Sequence, residues 1–182
     1  MVRKARQGDP DAFRHLVEEH LPRLWKVIWR ILRHREDTED VVQEVFLAAY
    51  RALPAFRGDS SLSTWLHRIA VTRALNHRDT AAERIRRASE PWEGPQGEEI
   101  RAAEGSEAAT PLRLLEADEL RRRVARCLDK LPVPWRAVLA LRDVESLSYE
   151  EMAQALGIAV GTVRSRLARA RTALRGCVRE EG

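Results

Sequence analysis

Apolar residues recur three and four positions apart along most of this chain and outline a succession of helices. Asp9 followed by Pro10 is a helix start, with the aspartate as cap and the proline in the first turn. Phe13, Leu16, Val17, His20, Leu21, Leu24 and Ile28 then make one stripe, on which His20 reads as a packed core histidine. Pro22 interrupts that stripe and predicts a kink or two consecutive helices. After a polar break at 33–40, a helix is predicted from Asp37 or Thr38 through Leu53. One side carries Val42, Val45, Phe46, Ala49 and Leu53, while Asp40, Gln43, Glu44 and Leu47 lie almost opposite. A loop rich in proline, glycine and serine follows. Ser63 or Thr64 can cap the next helix, which continues to about Arg78. There Leu66, Ile69 and Ala70 face one way and Trp65, Arg68, Thr72 and Asn76 another.

Residues 89–111 have no periodicity. Glycine, proline and glutamate dominate, with Glu90, Glu93, Glu98, Glu99, Glu104 and Glu107 against Arg101 alone. That composition predicts a flexible acidic linker. Beyond it Leu120, Val124, Cys127, Leu128 and Leu131 form a stripe, on which Cys127 reads as a small buried hydrophobe. Pro134 can open a helix over 135–144. The predicted fold is all-α: two small helical domains, 1–88 and 112–182, joined by the linker 89–111.

The stretch 147–177 carries the most chemistry. Ser148 and Glu151 have the spacing of a capping box. Met152, Ala153 and Leu156 stripe a short helix, Gly157 suits a left-handed helix end, and a second helix begins near Val160. On it Val163, Leu167, Ala170 and Leu174 share a face, with Ser165, Arg169 and Thr172 opposite. Arg164, Arg171 and Arg175 share one flank and Arg166 lies on the other. This is a helix-turn-helix pattern, which places its second helix in a duplex major groove. A solvated basic helix on an ordinary helical domain fits the same pattern.

Charge sharpens the picture. The formal net charge is only +4, yet no acidic residue occurs over 161–179. A basic C-terminal helix beside an acidic middle points to a nucleic-acid partner more strongly than the total does. The two cysteines, Cys127 and Cys177, form no CxxC or Cys/His cluster, which argues against a zinc site and against a disulfide scaffold. His15 and Glu19 could share a metal, but nothing nearby supplies a third ligand. No apolar run reaches membrane-spanning length and no signal peptide is visible, so a soluble cytoplasmic protein without membrane insertion is expected. No metal or cofactor is expected, and no Gly-rich phosphate loop or nucleophile–base signature suggests an enzyme.

Two surfaces stay open at this level. The face of Asp40, Gln43, Glu44 and Leu47 reads either as solvated surface or as a docking face. Trp65 with Arg68, Thr72 and Asn76 suits single-stranded nucleic acid, where rings stack on bases and arginine tracks phosphates. Trp65 as a simple core residue fits equally. The acidic linker could imitate nucleic acid in a basic channel or serve only solubility and reach. A helix-turn-helix regulator with an N-terminal sensor or dimerisation domain is the rival architecture.

Taken in order, DTEDVVQEVFLAAY, FRGDSSLSTWLHRIAV, an acidic linker, LDKLP and LSYEEMAQALGIAVGTVRSRLARAR resemble bacterial sigma factors of the sigma-seventy class, in particular the extracytoplasmic-function (ECF) group with regions two and four. The resemblance implies a non-catalytic initiation subunit that binds core RNA polymerase and promoter DNA. It assigns Asp40, Gln43, Glu44 and Leu47 to docking on the β′ clamp coiled coil. It assigns the loop of Phe56, Arg57, Gly58, Asp59, Ser60 and Ser61, with Trp65, Arg68, Thr72 and Asn76, to capture of the melted minus-ten strand. It assigns Thr162, Arg164, Ser165, Arg166 and Arg169 to the minus-thirty-five duplex, with the same domain resting on the β flap. It further implies an anti-sigma factor as regulator, and a monomer when free of partners. Departures from the family pattern occur at Thr72, Asn76 and Glu145, where asparagine, aspartate and glycine are common.

Overall fold

The computed structural model describes the backbone of residues 1–88 and 111–181 and the side chains of 1–78 and 117–181. The predicted linker, Pro111 apart, lies outside the described residues. Among those residues there are eight α-helices and no strand: α1 (Val2–Arg6), α2 (Pro10–Leu32), α3 (Arg35–Ala52), α4 (Leu62–Ala88), α5 (Pro111–Lys130), α6 (Val133–Asp143), α7 (Tyr149–Leu156) and α8 (Val160–Glu180). A short 3-10 turn, Leu53–Ala55, follows α3.

Local chemistry sets most helix ends. Asp9 Oδ1 accepts from the backbone N–H groups of Asp11 and Ala12, both at 3.0 Å. In the capping box of α7 the Ser148 hydroxyl accepts from the Glu151 amide at 3.1 Å, while the Glu151 carboxylate accepts from the Ser148 amide at 2.8 Å. The Ser148 amide first, and its hydroxyl second, hold the Glu151 carboxyl below its ordinary pKa. Gly157 closes α7 at φ 65, a conformation that costs a side chain more than it costs glycine.

Several ends differ from expectation. α2 is one continuous helix with Pro22 inside it. Pro22 and Glu18 are exposed, so water can satisfy the carbonyl that the proline leaves unbonded. Leu24, Val27, Ile28 and Ile31, all buried, carry the helix past it. His20 is half-buried, not enclosed. α3 begins before Asp37 because the imidazole of His34 accepts from the Asp37 amide at 3.4 Å. α4 begins at Leu62 because Ser61, not Ser63 or Thr64, is its cap, accepting from the Thr64 amide at 3.0 Å. α6 starts at Val133, and Leu120, expected in the α5 stripe, is exposed.

α2, α3 and α4 pack as one unit around Val27, Ile28, Ile31, Val41, Val45, Val71 and Ala74. α6, α7 and α8 pack around Val138, Leu141, Met152, Val163, Leu167 and Ala170, with α5 laid on α8. The two units also touch: α6 packs on α2 and α7 on α4, so their apolar residues form one contiguous core. A smaller cluster of Ala5, Ala12, Leu16 and Leu53 ties α1 to α2 beside Phe56 and Trp65.

The cysteines correct the sequence reading. Cys127 of α5 is fully buried as expected, but it is bonded to Cys177 of α8 in a disulfide with the Cα atoms 5.8 Å apart. The partners are 50 positions apart, a pairing that only the α5–α8 contact creates. Glu181 lies beside both sulfurs. Its carboxylate accepts from Lys130 Nζ at 2.6 Å and from Arg126 Nε at 3.0 Å, which hold its pKa below the ordinary value. The sulfurs are bonded to each other and the carboxylate is engaged by Lys130 and Arg126, so none of the three is free to hold a cation.

Candidate nucleic-acid interface

α8 turns Val163, Leu167 and Ala170 into the core, which leaves its arginine faces outward. Arg164 and Arg169 are exposed; Thr162, Ser165 and Arg166 are half-buried along the first two turns. The Ser165 hydroxyl donates to the Thr162 carbonyl at 3.1 Å. Tyr149, at the start of α7, sits between two guanidinium groups, Arg164 at 5.4 Å and Arg142 at 5.6 Å from its ring centre. Arg142 is fixed further by donating to the Leu147 carbonyl at 2.7 Å. Cation–π contacts of this kind hold Arg164 near the helix start. Tyr149 was missed by pattern reasoning, since no local spacing links it to α8. Arg171 pairs with Asp143 of α6 at 3.0 Å, a half-exposed contact between the two helices.

On the other unit, Gly58 at φ 82 lets the chain turn back after Phe56 and Arg57. The Phe56 and Trp65 rings meet at 5.1 Å with a 45° tilt. Asp59, Ser60, Thr64, Trp65 and Arg68 line a cleft of about 180 Å³, whose far wall is Gln154 and Ala155 of α7. Thr72 and Asn76 continue the exposed face of α4 one and two turns on. Both readings of Trp65 hold in part: it packs on the apolar core with one side and lines the cleft with another. Arg57 and Ser61 are also exposed, but the Ser61 hydroxyl is committed to capping α4.

The third surface is the outer face of α3. Asp40, Gln43, Glu44 and Leu47 are all exposed, Leu47 to 58%. Tyr50, one turn further on, is 49% exposed and extends the apolar spot around Leu47, a residue pattern reasoning left out. Glu44 pairs with Arg73 of α4 at 3.5 Å. Glu44, Leu47, Ala48, Arg51 and Arg73 frame a second cleft of about 330 Å³. An exposed leucine and tyrosine are rimmed here by Asp40, Gln43, Glu44, Arg51 and Arg73, apolar at the centre and polar at the border.

Known proteins share this arrangement. Residues 16–84 match the family Sigma-70 region 2, and residues 121–174 match the family Sigma-70, region 4. The ECF RNA polymerase sigma-E factor of Escherichia coli K12 is 39% identical over 175 residues, covering 96% of this chain and 90% of that protein. The RNA polymerase sigma-H factor of Pseudomonas aeruginosa is 38% identical over 178 residues, with the same coverage. Among solved structures, CnrH in complex with the cytosolic domain of CnrY superposes with a TM-score of 0.68 at 28% identity, covering all of this chain and 96% of that one. The sigma factor RpoE bound to the anti-sigma factor NepR from Bartonella quintana gives 0.71 at 21% identity, covering 92% and 97%, and shares the fold. With both regions present in order and such relatives spanning nearly its whole length, this chain belongs to the sigma-70 family, in its extracytoplasmic-function group.

Proposed function

We propose that the three surfaces divide the work of a sigma factor between them. The α3 face of Asp40, Gln43, Glu44 and Leu47 docks on the β′ clamp coiled coil of core polymerase. The loop of Phe56, Arg57, Gly58, Asp59, Ser60 and Ser61, with Trp65, Arg68, Thr72 and Asn76, takes up the melted minus-ten strand. Thr162, Arg164, Ser165, Arg166 and Arg169 read the minus-thirty-five element as duplex while their domain rests on the β flap. The protein contributes promoter choice and strand capture, and the polymerase contributes the chemistry, so it needs no cofactor and has no catalysis of its own. It acts with the polymerase in the cytoplasm; among the described residues no helix is long and apolar enough to cross a membrane.

The observation that carries this reading is the coexistence, on one chain, of an acidic face with an exposed leucine and an aromatic cleft of α4 with an acid-free recognition helix. A duplex-only regulator requires the last of these but neither of the first two. The sigma factor RpoE of Bartonella quintana was solved with the anti-sigma factor NepR, which supports an anti-sigma factor as the regulator here too. Such a partner would compete for the α3 face and the C-terminal unit. The test is titration of core polymerase with the protein and with Asp40→Arg. The reading expects tight assembly that the variant weakens at least tenfold, since the substitution sets a cation in an acidic patch. Unchanged affinity would remove α3 as the docking face.

A further inference from the structure

The two cysteines belong to none of the three surfaces, yet the fold joins them across 50 positions of sequence. α5 packs chiefly on α8, so their bond is the covalent part of that contact. α8 also carries the positions assigned to the minus-thirty-five duplex. The bond therefore ties the duplex-reading helix to the first helix of its own unit.

A protein that works with RNA polymerase in the cytoplasm sits in a reducing compartment, where disulfides are as a rule transient and redox-sensing. The two sulfurs are unequally placed. Cys127 is fully buried between the helices, whereas Cys177, on the last turn of α8, is only half-buried. Cys177 Sγ lies 3.9 Å from Glu181 Oε1, the carboxylate that Lys130 and Arg126 hold in place. Both of those cations reach solvent. A thiol with access to solvent and to nearby cations reacts, while an enclosed one is inert until its neighbour comes to it. One reactive sulfur backed by one buried sulfur is the arrangement of an oxidised cysteine with a resolving partner.

We propose that Cys177 is a site of oxidation by hydroperoxides, with Cys127 as its resolving partner, so that the α5–α8 bond is made and unmade with the redox state of the cell. In the first step Cys177 sulfur attacks one oxygen of hydrogen peroxide. An S–O bond forms, the O–O bond breaks, and the second oxygen leaves as water with the thiol proton. In the second step Cys127 sulfur attacks the sulfenic sulfur of Cys177. The S–S bond forms, and the hydroxyl leaves with the Cys127 proton as a second water. A dithiol reductant returns both thiols by exchange and becomes the disulfide itself. The oxidised state is the one in which α8 is fixed to α5. It keeps the minus-thirty-five positions folded under conditions that unfold the reduced unit. The cytoplasmic setting and this consequence rest on the sigma-factor reading; the sulfur chemistry is tested without it.

The test uses the full chain, reduced, freed of reductant and exposed to hydrogen peroxide with dimedone as a trap for sulfenic acid, read by mass spectrometry. Wild type should lose both thiol hydrogens and carry little adduct. Cys127→Ala should accumulate adduct on Cys177, about tenfold more than Cys177→Ser accumulates on Cys127. Alanine leaves no unpaired polar atom at the buried position. Timed alkylation of the reduced wild type, which needs no variant, should label Cys177 about tenfold faster than Cys127. Equal labelling of the two, faster labelling of Cys127, or a wild type whose thiols survive the peroxide would overturn the assignment. In transcription with core polymerase, the oxidised protein should keep its promoters at a temperature at which the reduced protein loses them, a gap that Cys177→Ser abolishes. Equal transcription by both forms at every temperature would overturn the link to promoter use. If the sulfur chemistry runs as expected and neither form directs transcription, the sigma reading falls and the oxidation site stands.

Discussion

Breaking the Cys127–Cys177 bond should remove a large share of the protein's stability. The bond closes a loop across 50 positions of sequence. In the chain-entropy description, freeing a loop of that length returns about 4 kcal/mol to the unfolded state at 25 °C. Folded domains are stable by only about 5–15 kcal/mol, so this is about a quarter or more of the total. The other contacts at that end of α8, from Arg126 and Lys130 to Glu181, are largely solvent-exposed and cannot replace it. Urea unfolding followed by circular dichroism, with and without dithiothreitol, reads the difference. With a slope of about 2 kcal/mol per molar, the midpoint should fall by roughly 2 M on reduction. Cys177→Ser should unfold as the reduced wild type does and ignore the reductant. A thiol titration of the unreduced, denatured protein should find no free thiol. Two free thiols there, or a midpoint that reductant leaves in place, would refute the pairing and the stabilisation argued from it.

The remaining predictions are local. Ser148→Ala should cost about 1 kcal/mol by removing one half of the capping box. The depressed Glu151 carboxyl contributes stability above the ordinary carboxylate pKa that is lost as pH falls through its lower folded value. The amide of position 148, the main cause of that depression, survives in Ser148→Ala, so acid titrations of the unfolding midpoint should show most of the loss below about pH 4.3 retained in the variant. Arg169→Ala should lower use of promoters that depend on the minus-thirty-five element about tenfold while core binding persists, as measured by transcription and by titration. Loss of core binding would show that Arg169 belongs to a different surface. Tyr149→Leu should weaken the same promoters less, by freeing Arg164 without removing it.

What was legible in the sequence was local. The capping box at Ser148, the left-handed Gly157 and the start of α8 at Val160 all follow from residues within a few positions of each other. The faces of α3 were legible for the same reason: Val42 and Val45 are buried where Asp40, Gln43 and Leu47 are exposed. The Ser61 cap was missed because competing serine and threonine lay two and three positions away, and the His34 cap because imidazole is a rare cap. Contacts between distant elements were not legible. Cys127 meets Cys177, Arg33 meets Asp129, and Glu145 meets His67 only once α5–α8 and α2–α4 have packed. Pattern reasoning also treated the two helical units as independent, since the aperiodic stretch 89–111 separates them in sequence. The shared core appears only when α6 and α7 are set against α2 and α4.

The most direct test of the account is multi-round transcription by purified bacterial core polymerase, with and without this protein, on fragmented DNA from its source. The account predicts discrete transcripts that appear only when the protein is added, with shared sequence at minus ten and minus thirty-five upstream of their starts. No added transcripts, together with tight binding of duplex fragments by the protein alone, would contradict it and favour a helix-turn-helix regulator.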